Sequence, residues 1–101
     1  MNKRKLEDIL DELQIKINLF GYKYWITAVE LYLKDNTIGM GEICKEIAKR
    51  YNTTTSRVDR ALRHARERKE ETIQRYFNVN YDIDNSVFLA LLAREMEREE
   101  W

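Results

Sequence analysis

The chain has 101 residues, room for one domain and one modest hydrophobic core but not for two. It has no proline and only three glycines, which removes the punctuation that sheet-rich folds need. No apolar run approaches the roughly 20 residues of a membrane span, the basic start leads into Glu7 and Asp8 instead of an apolar signal core, and the single Cys44 excludes an intrachain disulfide. A cytoplasmic chain with no membrane partner is expected.

Leu6, Ile9, Leu10, Leu13 and Ile17 recur at helical spacing and predict a first amphipathic helix, which Gly21 interrupts. Tyr22, Trp25, Ile26, Val29, Tyr32 and Leu33 then form a second apolar stripe, closed by Asp35-Asn36 and the segment Gly39 to Gly41. The aromatic set Tyr22, Tyr24, Trp25 and Tyr32 could stack bases, but its place on an apolar helix face favours core packing. A third helix starts near Gly41-Glu42, turns Ile43, Ile47, Ala48 and Tyr51 to one side, and ends at Asn52, a residue that tolerates the left-handed conformation. Thr53-Thr54-Thr55 supplies capping hydroxyls. A fourth helix carries Val58, Ala61, Leu62 and Ala65 inward. Ile73, Tyr76 and Phe77 predict a short fifth helix. A loop follows over residues 78–85, with Asn85 or Ser86 as N-cap of a last helix through Val87, Leu89, Leu91, Leu92 and Met96. The predicted fold is all-α, a compact bundle of five to six helices containing a helix-turn-helix at about residues 42–69.

Neutral overall charge hides a strong asymmetry. Residues 1–44 hold 6 basic and 7 acidic side chains, a net of −1; residues 45–69 hold 9 and 3, a net of +6; residues 70–101 hold 3 and 8, a net of −5. One basic block in a neutral chain is an electrostatic footprint suited to phosphates. The block coincides with a two-helix spacing. Ala48 is the small residue where two short helices cross, Asn52 is the turn residue four positions on, and Val58 is the buried branched residue early in the second helix. At about 100° per residue, Val58, Ala61, Leu62 and Ala65 share one side of that helix. Ser56, Arg60 and Arg63 lie opposite, flanked by Arg57, Asp59 and His64. Arginine forks suit the paired acceptors of guanine, and a carboxylate accepts from the cytosine amino group. Lys49, Thr54, Thr55 and Ser56, at a helix end and a helix N-terminus, suit phosphates.

The run from Ile47 through Ala48-Lys49-Arg50-Tyr51-Asn52-Thr53-Thr54-Thr55-Ser56-Arg57-Val58-Asp59-Arg60-Ala61-Leu62-Arg63-His64 to Ala65 closely resembles the C-terminal effector domain of the sporulation initiation response regulator, stage zero protein A. Gly21-Tyr22-Lys23-Tyr24 and Asn85-Ser86-Val87-Phe88 are similar to that family too, so the resemblance spans about Leu6 to Met96. It implies a six-helix bundle that binds double-stranded DNA at a short promoter box, self-associates head-to-tail on tandem sites and touches the RNA polymerase sigma subunit. It also implies that Arg57, Asp59, Arg60 and Arg63 contact bases from the helix at residues 56 to about 68, with Ser56 and His64 as neighbouring phosphate contacts. Asp59 stands where the family usually has glutamate, one methylene longer. The segments between His64 and Phe77, and between Phe77 and Phe88, are shorter than usual. The phosphorylation-receiving domain is expected to be missing, which would leave the switch outside this chain.

No cofactor, metal site or enzymatic activity is expected, because no nucleophile–base pair, glycine-rich phosphate loop or acidic cluster is present in the pattern. His64 has no ligand at metal spacing, Cys44 reads as a plain buried thiol, and Glu95, Glu97, Glu99 and Glu100 read as a solvated helix end. The alternative function is a protein-interaction module that antagonises or pairs with a full-length response regulator or RNA polymerase, motivated by zero net charge and the acidic final third.

Overall fold

The computed structural model describes residues 1–98, which form six helices and, among the described residues, no strand: α1 (Lys3–Glu12), α2 (Phe20–Lys34), α3 (Met40–Arg50), α4 (Thr55–Glu67), α5 (Glu70–Phe77) and α6 (Asn85–Glu97). The expected all-α bundle is what forms. Side-chain caps start three of the helices. Asn2 accepts from the Lys5 amide, Thr54 from the Arg57 amide and Asp84 from the Val87 amide, each satisfying a first-turn N–H that has no partner within its helix. The cap of α6 is therefore Asp84, not Asn85 or Ser86, because Asn85 already lies inside the helix with its amide engaged elsewhere.

With so few glycines, the left-handed turns fall to Gln14, Asn52 and Asn78, at φ of 63°, 52° and 56°. Each is followed by a residue whose amide reaches back five positions: Ile15 to the Leu10 carbonyl, Thr53 to Ala48 and Val79 to Gln74, at 3.0, 2.9 and 3.0 Å. These bonds satisfy late carbonyls and reverse the chain at the ends of α1, α3 and α5. The first of them explains one departure from the sequence pattern. The chain leaves the helix after Glu12, so Ile15 becomes buried while Ile17, expected on the apolar stripe, is 74% exposed.

Gly21 does not interrupt a helix; it sits buried in the first turn of α2. A β-carbon there would lie 2.5 Å from the Ala61 carbonyl oxygen and 2.6 Å from the Ala65 β-carbon. Four residues on, Trp25 is fully buried, donates its indole N–H to the Leu62 carbonyl at 3.0 Å, and meets Phe88 edge-on with ring centroids 4.7 Å apart. One tryptophan thus ties α2 to α4 and α6, with the edge-to-face pair contributing about 0.5–1.5 kcal/mol beyond burial. The aromatic stripe of α2 is mainly core: Tyr22, Tyr24 and Trp25 are buried, and Tyr32 is half-buried against the core. In α5, by contrast, only Ile73 is buried, and Tyr76 lies at the rim. Ile83, in the segment read as a loop, is buried as well. Glu97 is exposed at the end of α6; Glu99, Glu100 and Trp101 lie outside the described residues. No helix among the described residues is long and apolar enough to cross a membrane.

Gly21→Ala is expected to destabilise the fold by about 1–3 kcal/mol, since a backbone carbonyl cannot yield as a flexible side chain would; urea denaturation followed by circular dichroism measures it. Tyr22 gives a second test. Burial first, then the charges of Asp11 and Glu7, a hydrogen bond to Asp11 and the charge of Asp8, push its phenol up to about 12. An unfolded tyrosine ionises near 10, so the stability tied to the neutral phenol is intact below pH 10 and lost as pH climbs from about 10 to 12. Tyr22→Phe should flatten that alkaline loss in denaturation curves taken across the window.

Candidate nucleic-acid interface

The site is built on α3, the turn after it, and α4. Lys49 and Arg50 complement the dipole at the C-terminal end of α3, and Arg50 also reaches Glu30 of α2 at 3.4 Å and Glu46 at 3.5 Å. Asn52 makes the left-handed turn that its side chain tolerates, as the sequence leads one to expect. Tyr51 was expected to face inward with Ile43, Ile47 and Ala48, but it stands at the rim because the helix ends at Arg50. There its ring lies 5.1 Å from that of Tyr24. Its hydroxyl meets Thr27 Oγ1 at 3.2 Å, and since Thr27 donates to the Lys23 carbonyl, Tyr51 is the donor. The turn is thereby fastened to α2.

Helix α4 starts at Thr55, one residue before the predicted position, with Thr54 as cap. Its inner side is as expected: Val58 and Leu62 are fully buried and Ala65 is buried, with Ala61 half-buried. Ser56, Arg60 and Arg63 are exposed on the opposite side. Arg57 and His64 are exposed on one flank, where with Leu19, Phe20 and Arg60 they rim an open groove floored by Gly21, Ala61 and Ala65. Phe20 is 66% exposed there, and Lys23 lies 5.0 Å from the ring centroids of both Phe20 and Tyr51. Asp59 occupies the other flank, beside Cys44, Lys45, Thr55 and Ser56. Burial, with the Asp59 charge added, raises the Cys44 thiol above its ordinary value, which keeps it an unreactive thiol. Lys49 is exposed at the end of α3.

The four arginine and aspartate candidates are not equivalent. Among the described residues, Arg57 and Arg60 make no ion pair. Arg63 lies between Asp59 at 3.8 Å and Glu67 at 3.7 Å, one helical turn to either side. These exposed pairs are long and contribute little, about 0–1 kcal/mol each, so they are easily exchanged for a better acceptor. Asp59 also accepts from the Asn85 side-chain amide at 3.4 Å.

One member of the basic block does not belong to the face. Arg66 is buried: it donates to the Ile83 carbonyl and to Asn85 Oδ1 at 2.8 Å, and lies 4.0 Å from Glu70. Counting charge along the chain missed this. Position 66 follows Val58 and Leu62 at intervals of four and so falls on the inner side, which was the available signal. Among the described residues no cluster of His, Cys, Asp and Glu could hold a metal ion.

Residues 6–96 match the family model described as "Sporulation initiation factor Spo0A C terminal". The match covers α2 to α5 entirely and most of α1 and α6.

The start of α4 offers a direct test of how the exposed face is set. Thr54→Ala removes the oxygen that accepts from the Arg57 amide at 3.2 Å and should cost about 1 kcal/mol of stability. Thr54→Ser should restore most of it in the same denaturation assay.

Proposed function

The chain belongs to the sporulation initiation factor Spo0A C-terminal family, whose members are DNA-binding effector domains and not enzymes, and we propose that it regulates transcription by reading a short promoter box in the major groove with the outward face of α4. The observation that carries this reading is the exposed row Ser56, Arg60 and Arg63, set opposite the buried Val58, Leu62 and Ala65. A helix so anchored presents a cationic edge of fixed orientation, which a groove about 12 Å wide admits.

In this reading each candidate has a role that follows from its surroundings. Arg60, with no carboxylate to leave, directs its fork at the O6 and N7 acceptors of a guanine. Arg63 exchanges Asp59 and Glu67 for a base edge, and Arg57 reads or steadies the adjoining step. Asp59 accepts from an exocyclic amino group, cytosine N4 first; its short reach, relative to glutamate, favours a base directly beneath it. Lys49, Thr54, Thr55, Ser56 and His64 hold phosphates on either side, fixing register without carrying sequence information. Copies pair on tandem boxes, and the bound protein meets the polymerase sigma subunit; both belong to the proposed reading, by analogy with the family. It acts in the cytoplasm, where promoter DNA is.

Fluorescence anisotropy against a randomised set of boxes tests the proposal. Arg60→Ala is expected to cost about 1–3 kcal/mol on the preferred box and to relax the choice of one base. Lys49→Ala should weaken binding to all boxes alike and lower the slope of log affinity against log salt by about one. A folded wild-type protein that binds every box equally at low salt would end this reading.

A further inference from the structure

Asn85, the first residue of α6, stands between the buried Arg66 and the exposed Asp59, and its amide group has no freedom in how it serves them. A guanidinium only donates, so the atom 2.8 Å from Arg66 Nε must be the amide oxygen. The amino end therefore points the other way, to Asp59 Oδ1 at 3.4 Å. Arg66 is in turn held in place. Its side chain is 7% exposed, it donates to the Ile83 carbonyl, and Glu70 lies beside it. A chain of donors and acceptors thus runs from the α5–α6 connection, through the first turn of α6, to the flank of α4.

Its last link bears on DNA reading. Asp59 has two oxygens: Oδ1 is taken by Asn85, and Oδ2 faces Arg63 Nη1 at 3.8 Å, on the outward side of the helix. An exposed aspartate without the Asn85 contact would turn freely and pair with the Arg63 fork through both oxygens, occupying an acceptor and a donor set together. We propose that Asn85 is a positioning residue for specificity: by holding Oδ1, it keeps Oδ2 presented for a base amino group and leaves the Arg63 fork available to the next base. This inference rests on the base-reading role given to Asp59 above. It extends the specificity apparatus to a helix that never enters the groove.

The experiment compares wild type, Asp59→Ala, Asn85→Asp and the double variant in anisotropy titrations on boxes varied one base pair at a time. Asn85→Asp keeps an oxygen for Arg66 but replaces the donor facing Asp59 with a second carboxylate oxygen, so the buried contact is kept while the hold on Asp59 is reversed. Asn85→Ala, which removes both contacts, stands in should the aspartate variant fail to fold by circular dichroism. The expected result is that the Asn85 variant loses discrimination, on the order of tenfold, at the same base pair that Asp59→Ala relaxes. Preference elsewhere and the salt slope should match wild type, and the double variant should behave like Asp59→Ala alone. An Asn85 variant that keeps its preference at that pair, or that loses affinity evenly over all pairs, overturns the proposal. If Asp59→Ala relaxes no pair while Arg60→Ala does, the role of Asp59 and this inference fall together and DNA reading stands. A wild type that discriminates nowhere fails at the earlier step.

Discussion

The close crossing of α2 over α4 is the constraint on which the rest of this structure depends. Gly21 lets the two backbones approach until the Ala61 carbonyl fills the space a side chain would need. Trp25 then spends its one polar atom on the neighbouring Leu62 carbonyl, 3.0 Å away, and turns its ring against Phe88. A mid-helix carbonyl that accepts a second hydrogen bond fixes rotation as well as distance. This contact and the Gly21 crossing together set the rotation of α4, with the side carrying Ser56, Arg60 and Arg63 facing out. In the proposed reading, where the edge of α4 enters a groove, orientation of that helix is the quantity that matters, since a misdirected arginine fork meets phosphate instead of base.

The two flanks of α4 are finished differently. Toward α2 the surface is apolar and aromatic, with Phe20, Tyr24 and Tyr51 in contact and Lys23 over two of the rings. Toward α6 it is polar, built around a buried arginine. Burying a guanidinium is expensive unless its donors are met, and here the Ile83 carbonyl, Asn85 and Glu70 surround it. No buried side-chain polar atom among the described residues lacks a partner. Such a network adds little to stability compared with an apolar residue of similar size, but it permits few arrangements. That is the property the proposed recognition surface needs on its border. The basic block of residues 45–69 thus divides by function. Arg66 serves the interior, Arg50 binds α3 to Glu30, and the remaining arginines are left on the surface.

Much of this was legible in the order of residues. Six helices, the left-handed turn at Asn52, the inward Val58, Leu62 and Ala65, and the outward Ser56, Arg60 and Arg63 all follow from helical period and local conformational preference, which act over a few residues and leave a periodic trace. The run from Ile47 to Ala65 carried the family as well. Where local signals were misread, a longer-range contact had decided the matter. Gly21 looked like a break and is a point of close approach; Ile17 fitted a stripe that the turn at Gln14 cuts short; Tyr51 fitted an inner face whose helix had already ended.

What the sequence by itself determined, then, is the set of helices and which edge of α4 carries charge, because both depend on spacing within one segment. What only the tertiary structure decided is which charges are free to act. Arg66 and Arg60 are the same residue type six positions apart, yet one is buried against Ile83 and Asn85 and the other stands in solvent. Asp59 meets a side chain 26 residues away in the chain, as Trp25 meets a carbonyl 37 residues away. Pairings at such separations leave no period in a single sequence; they exist only once packing has brought the segments together.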